Sequence, residues 1–455
     1  MTLTAPQPGP NARRNWAYLL ITIAATLPWI ILAHTSQHNG HFSLSHILIA
    51  VLSGIAILAA AFLLSWGAEV AQLDMSQSLA LVILSLIAIL PEYAVSMAFA
   101  GDAGKGLLAS QHAQTALLPQ TREMLRHADL TVANMTGANR ILIGVAWSVV
   151  VFIYYWRTQQ RSITIETSRA IEIKFLLLAT LYSFTLPLKA ALFGIGLHWC
   201  DAIMLVGLFG FYTRAAAKTE QVEPELIGPP TVIAALSPLL RRLTCLVLFS
   251  GAAWTIYLAA HPFANALVHV GKRYHINEFL LVQWIAPLAS EMPEFIVAGL
   301  FAWRGFPAMG MGALISSKVN QWTLLVGLLP IFYGFAARQM VPLPLDTQQS
   351  CEVFLTSAQS LFAVAVLSNF TINLKEAWGL LTLFILQGLS QFLLNMLLPN
   401  NLHTAMLTQS SELFFAIVYL ALAAIVLMDS PDRRSMIIDM LRGKGNAHAA
   451  RDVIS

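Results

Sequence analysis

The sequence predicts an all-α polytopic membrane protein with about twelve transmembrane helices. Three observations carry that expectation. Of 455 residues, 57% are hydrophobic and only 11% charged, where a soluble domain carries roughly 25% charged residues. Apolar runs of about 20 residues, enough to cross roughly 30 Å of hydrocarbon, recur along the whole chain. No stretch between them is long enough for a soluble domain.

Taken in order, the apolar runs fall near 16–34, 44–72, 77–101, 130–156, 170–188, 194–215, 238–265, 276–303, 307–337, 352–371, 375–398 and 406–428. Arg13 and Arg14 precede the first run, which is long, lacks a small-x-small cleavage site and reads as a retained signal anchor. The longest breaks are 102–129 and 216–237, the second carrying Glu220, Glu223, Glu225 and the Pro229-Pro230 pair. Lysine and arginine accumulate on cytoplasmic loops, and with the N-terminus inside the bias is about two to one. An even helix count then puts both termini in the cytoplasm, and the expected location is a bacterial inner membrane. Cys200, Cys245 and Cys351 are scattered inside apolar stretches and read as small core residues. The tail from Asp429 to Ser455 carries Arg433, Arg434, Arg442 and Lys444, with Met436, Ile437, Ile438, Met440 and Leu441 between. It reads either as an amphipathic helix on anionic lipid or as a partly ordered cytoplasmic tail.

One local pattern occurs twice. Ile89-Leu90-Pro91-Glu92 lies inside one span and Glu291-Met292-Pro293-Glu294 inside another, the Pro-Glu pairs 202 residues apart. Each follows an apolar helix and a short polar turn. Each precedes a span opening with small and polar residues, Ala133–Asn139 and Gly312–Lys318. Proline inside a helix removes one amide donor, here freeing the carbonyls of Ile87 and Ala289. Free carbonyls are costly in lipid unless they face a cavity or bind an ion, so Pro91 and Pro293 are expected helix breaks at a polar centre. One lone proline would read as a kink, but two in matching places point to a site. Charged side chains near the bilayer centre cost about 2.5–3.5 kcal/mol each, so Glu92, Glu291, Glu294 and Lys318 should face one another or a wet cavity. Glu291 and Glu294, three apart, share one helical face. For Lys318 a structural pair with a glutamate is an equal reading.

At these residues the sequence resembles the membrane domain of the sodium/calcium exchangers, in the calcium/cation antiporter superfamily. That family carries two alpha repeats, each with a G-[ST]-S-x-P-E motif and a G-N-x-x-G-S-N motif on the next helix. The resemblance covers roughly 50–156 and 245–337, with Gly67-Ala68-Glu69 leading into the first repeat. It implies two inverted five-helix repeats with an extra helix at each end. The segments are then 1–43 (N-terminus and extra helix), 44–215 (first repeat), 216–237 (cytoplasmic linker), 238–398 (second repeat) and 399–455 (extra helix and tail). By position, Glu92 and Glu294 match the two central cation-binding glutamates and are the expected metal ligands. Asn134, Gly137 and Asn139 match the second motif of the first repeat, and Gly312, Ser316 and Ser317 match parts of its counterpart. The departures are Ala88 and Ile89 where the family has hydroxyls, Glu291 after the surviving Ser290, Lys318 in place of asparagine, and Arg140 after Asn139.

The resemblance implies a secondary-active cation antiporter of the sodium/calcium exchanger type, working by alternating access around paired intramembrane glutamates. Calcium takes six to eight oxygens, and Glu92, Glu291, Glu294, Asn134, Ser290 and freed carbonyls supply candidates. The ammonium of Lys318 would displace a monovalent ion, so fewer sodium sites are expected. Proton coupling, with calcium or sodium exchanged for H+, is the close alternative, because buried glutamates also take protons. A transport-inactive descendant with a structural role is the reading from another class. No H-E-x-x-H, G-x-S-x-G or Walker loop supports an enzyme; no cofactor and no nucleic-acid partner is expected, only inorganic cations and membrane lipids. His112 and His127 in the long break read as solvated surface residues.

Overall fold

The computed structural model describes residues 11–39, 44–74, 90–111, 119–218, 226–274, 278–398 and 402–442. Helices dominate: α1 (Ala12–Asn39), α2 (His46–Ala71), α3 (Leu90–Gln111), α4 (Pro119–Thr158), α5 (Ala170–Phe193) and α6 (Trp199–Ala216). After the short α7 (Pro229–Ala234) come α8 (Pro238–Tyr274), α9 (Glu278–Arg304), α10 (Pro307–Ala336), α11 (Thr347–Leu367), α12 (Leu374–Leu397), α13 (Leu402–Asp429) and α14 (Pro431–Leu441). Among the described residues ten helices are long and apolar enough to cross a membrane, and α3 and α6 stand where the other two expected spans fall. Residues 77–89 of the third span, with Ile87, Ala88 and Ile89, lie outside the described residues, as do His112, Glu220, Glu223 and Glu225.

The break expected at 102–129 is largely helical, since α3 runs on to Gln111 and α4 begins at Pro119. At about 1.5 Å per residue, α4 is roughly 60 Å long, twice the hydrocarbon thickness. Its polar first turns therefore extend the helix past its apolar run. His127 is consequently buried against α3, edge-on to Phe99 with ring centroids 5.5 Å apart, and not a solvated loop residue. Cys245 and Cys351 are buried as expected, but Cys200 is exposed, because it sits in the first turn of α6.

The described residues form two compact units. The first is drawn from Met1–Ala98, Thr213–Leu281 and Ile285–Pro293. Its spine is the pair α2 and α8, which run antiparallel. His46 at the start of α2 stacks on His269 near the end of α8, while Asp74 just past α2 binds Arg241 in the first turn of α8 at 2.7 and 2.8 Å. Lipid gives helices little hydrophobic reason to associate, so close backbone approach through small residues holds them together. A Cβ added at Gly54 would stand 3.0 Å from the Phe263 ring, and one at Gly67 3.0 Å from that of Phe249. α1 and α7 pack on this pair, with Asn15 Nδ2 donating to Thr231 Oγ1 at 3.0 Å.

The second unit is drawn from Phe99–Tyr212, Val282–Trp284 and Glu294–Ser455. Its centre is α11, buried along most of its length and tied to α5 by two hydroxyl pairs, Thr180 with Ser360 and Ser183 with Ser357, each 2.7 Å. Both α4 and α10 change to π-helical bonding for one stretch, at Leu142–Trp147 and Gln321–Leu325. Each stretch opens three residues after the paired positions Asn139 and Lys318. Strand β1 (Ser162–Thr164) pairs antiparallel with β2 (Thr371–Asn373), and Leu197 bridges Leu343. β1 joins the third and fourth core helices of one half, and β2 the fourth and fifth of the other. Leu197 and Leu343 occupy the same two loops with the halves exchanged. Swapping halves therefore turns one pairing into the other, as an inverted repeat requires, since helix alternation puts the two pairings on opposite faces of the membrane.

α14 holds to the protein. Arg433 donates to the carbonyls of Ala365 and Val366 at the end of α11 and to Glu376 at 2.6 Å. The polar half of the tail helix thus caps α11 and α12.

Candidate functional site

The candidate residues sit on α3, α4, α9 and α10. In the first unit Pro91 and Glu92 lie in the opening turn of α3, both buried. Ser290, Glu291 and Pro293 are buried on α9. Ser290 Oγ donates back to the carbonyls of Ala286 and Pro287 at 3.3 Å, as hydroxyls do inside helices. The expected break at Pro293 takes a milder form. α9 runs uninterrupted through Pro287 and Pro293, because a single missing amide leaves the helix on either side intact. The proline still takes from the Ala289 carbonyl its own helical donor. Pro91 opens the described part of its helix, so the turn before it lies outside the described residues.

In the second unit Glu294 is half-buried on α9, while Asn134, Asn139 and Lys318 are fully buried and Ser317 nearly so. Asn139 and Lys318 meet. The Lys318 ammonium donates to Asn139 Oδ1 at 2.6 Å and to its backbone carbonyl at 3.0 Å, and stands 5.0 Å from the centre of the Trp322 ring. An amide oxygen, a main-chain carbonyl and a ring face are what a bare monovalent cation would seek. Asn139 Nδ2 in turn donates to Met135 O at 2.8 Å, which fixes the amide with its oxygen toward the ammonium. Both residues sit three positions before a π-helical stretch, a departure from α-geometry that is frequent at functional sites.

The glycines matched to the second motifs serve close packing. A Cβ on Gly137 would fall 1.9 Å from the Gln283 carbonyl oxygen, and one on Gly312 would meet the Arg169 guanidinium at 2.8 Å. Ser316 accepts from the Tyr212 hydroxyl at 3.2 Å. Among the described residues no group of three or more His, Cys, Asp or Glu side chains is gathered to hold a metal ion. The model of the sodium/calcium exchanger protein family matches residues 45–217 and 244–393. The chain belongs to that family.

The structural comparisons agree. The crystal structure of the H+/Ca2+ exchanger CAX is 38% identical to this exchanger, with a TM-score of 0.80 over 96% of this chain and 99% of that one. The Ca2+/H+ antiporter protein YfkE shares the fold at 14% identity, with a TM-score of 0.59 over 82% of this chain and 99% of that one. Among curated proteins no relative was found.

Sequence reasoning missed a second polar centre. Arg140, noted only as a departure beside Asn139, pairs through Nη2 with Glu352 Oε2 at 2.6 Å, both buried. Gln391 and Glu412 join them from α12 and α13. The signal available was the helical spacing of polar residues in apolar spans: Glu352 with Gln359, Gln387 with Gln391, and Glu412 with Tyr419.

Proposed function

We propose that this exchanger moves calcium across the membrane in exchange for protons, by alternating access around Glu92 and Glu294. The observation that carries the counter-ion is Lys318. Its ammonium, fully buried on Asn139 Oδ1 and the Asn139 carbonyl, supplies a fixed cation where a sodium-coupled relative would need a mobile one. The carboxyl groups then have protons as the simplest competitors for calcium. The 38% identical structure, described as an H+/Ca2+ exchanger, supports the same choice.

In this reading Glu92 and Glu294 ligate calcium, with Glu291, Asn134, Ser290 and Ser317 supplying further oxygens; calcium's need for six to eight of them exceeds what two carboxylates give. The repeats run 44–215 and 238–398, joined by the cytoplasmic linker 216–237, with extra helices in 1–43 and 399–455. Both termini face the cytoplasm of a bacterial inner membrane, following the lysine and arginine bias.

Proteoliposomes decide the matter. Calcium uptake should follow an imposed proton gradient and be abolished in Glu92→Gln and Glu294→Gln. Uptake driven by sodium alone would replace the proton reading with sodium coupling. No flux under either gradient would make the chain an inactive descendant.

A further inference from the structure

The second unit buries an ionisable cluster that calcium binding at the matched glutamates does not use. Four helices build it. Arg140 comes from α4, Glu352 from α11, Gln391 from α12 and Glu412 from α13, and each is at most 2% exposed. Arg140 Nη2 lies 2.6 Å from Glu352 Oε2. Gln391 Nε2 bridges the two carboxyl groups, 2.9 Å from Glu352 Oε1 and 3.0 Å from Glu412 Oε1. The one amide of Gln391 thus holds the two carboxyl groups side by side.

α13 shows that this placement is specific. Thr404, Thr408, Glu412, Ala416, Tyr419 and Ala423 form its buried face, while Leu413, Phe414, Ile417 and Ile425 are exposed on the other side. A helix that is otherwise apolar thus turns its membrane-depth carboxyl inward, as the cost of a charge facing lipid demands. Glu412 also lies past residue 393, where the family match ends.

The charges do not balance. One guanidinium faces two carboxyl groups, and the other titratable side chains against them, Cys351 and Tyr419, bring no positive charge. An uncompensated buried carboxylate is costly, and two buried carboxyl groups held together by one amide do not both ionise against a single guanidinium. Several buried atoms here also find no protein partner: Glu412 Oε2, Gln391 Oε1, Gln359 Oε1, Arg140 Nη1 and the Tyr419 hydroxyl. They point to a small guest, water or a proton carried on it. We propose that Glu352 and Glu412 together hold one exchangeable proton, making a second ion site that the matched glutamates do not include. The proton is taken from hydronium, leaving water, resides on either carboxyl oxygen and returns to water as hydronium; the loaded pair carries a net charge of minus one beside Arg140 and the unloaded pair minus two.

Arg140 is the residue after Asn139, and Asn139 holds Lys318. Loading or unloading the pair therefore changes the field one peptide away from the fixed ammonium. Use of this proton in transport rests on the proton-coupled reading above; its presence does not.

Infrared difference spectroscopy of the full-length, calcium-free protein in lipid tests the presence directly. Wild type should show a deuterium-sensitive carbonyl stretch of a protonated carboxyl group. Glu412→Gln and Glu352→Gln should each remove one and the same component of that band, because either leaves one carboxylate matched to Arg140, while Glu92→Gln should retain that component. Two variants guard against one failing to fold. Absence of the band in wild type, or persistence of that component in whichever of the two folds, overturns the proposal. Proton-driven calcium flux without that component would sink this site and leave the proposed function standing. The component without any flux would do the reverse.

Discussion

Lys318 is where one residue separates this chain from the motif it otherwise resembles. Its ammonium is bound by Asn139 at 2.6 and 3.0 Å and by no bulk water, since both residues are fully buried. Burying a charge without partners would cost several kcal/mol, so the site is built around this cation. Lys318→Asn removes the charge and restores the family residue. It should let a sodium gradient drive calcium uptake, several-fold above wild type, with proton-driven uptake reduced. Coupling that stays as in wild type would show that the lysine is merely structural. The sequence announced Lys318 as a membrane-depth charge and left its partner open between a glutamate and a bound-ion position. Glu92 and Glu294 stood out because each follows a proline in a repeated pattern. Asn139 as the lysine's receptor was not legible, because it depends on α4 and α10 meeting, a tertiary fact that spacing along one helix does not encode. Glu352 and Glu412 were missed for the same reason, as each is the lone acid of its apolar run.

At the scale of elements, helix positions were legible and helix ends were not. Apolar runs located α2 and α8 to within a few residues on their lipid-crossing parts, yet α8 continues to Tyr274 and α4 starts eleven residues before its apolar run. Polar turns beyond the hydrocarbon keep their helical bonds when something packs on them, and hydropathy does not register that. The antiparallel pairing of α2 with α8 carries a consequence at its ends. Asp74 accepts from Arg241 through both oxygens and from Arg242 at 3.1 Å. The Arg241 hydrogen bonds, outweighing partial burial, hold its carboxyl below the usual aspartate range. A folded-state value lowered in this way stabilises the folded protein above the unfolded-state range near 3.9 and loses that contribution as pH falls through the folded value. Asp74→Asn should therefore lower Tm at pH 7 by an amount worth at most about 1 kcal/mol. The gap from wild type should close as pH is brought below about 4. Thermal melts in detergent across that range check it, and a gap independent of pH would assign the effect to packing alone.

For the whole molecule, inversion is the property that sequence and structure reach by different routes. In the sequence it came from a resemblance and from counting helices; in the structure it is written in pairings. β1 with β2 and Leu197 with Leu343 exchange when the two halves are swapped, and α2 runs against α8. Fold recognition could name the symmetry, but the two loop clasps could not be foreseen, because three-residue strands leave no periodic signal. If the halves are inverted, the β1–β2 clasp and the Leu197–Leu343 clasp must lie on opposite faces of the membrane. The exposed native Cys200 follows Leu197 by three residues, so it reports the face of the second clasp without engineering. Thr164 is exposed in β1 and reports the first when changed to cysteine in a Cys200→Ser background. A membrane-impermeant maleimide added to intact cells should label Cys200 and leave Thr164→Cys untouched, and inside-out vesicles should reverse the pattern. That result would fix the side of each clasp and, through helix alternation, place both termini in the cytoplasm. Opposite-sided labelling with the reverse polarity would keep the inverted repeats and overturn the orientation read from lysine and arginine. Labelling of both positions from one side would mean that the two clasps share a face, and the inverted-repeat architecture would fall with it.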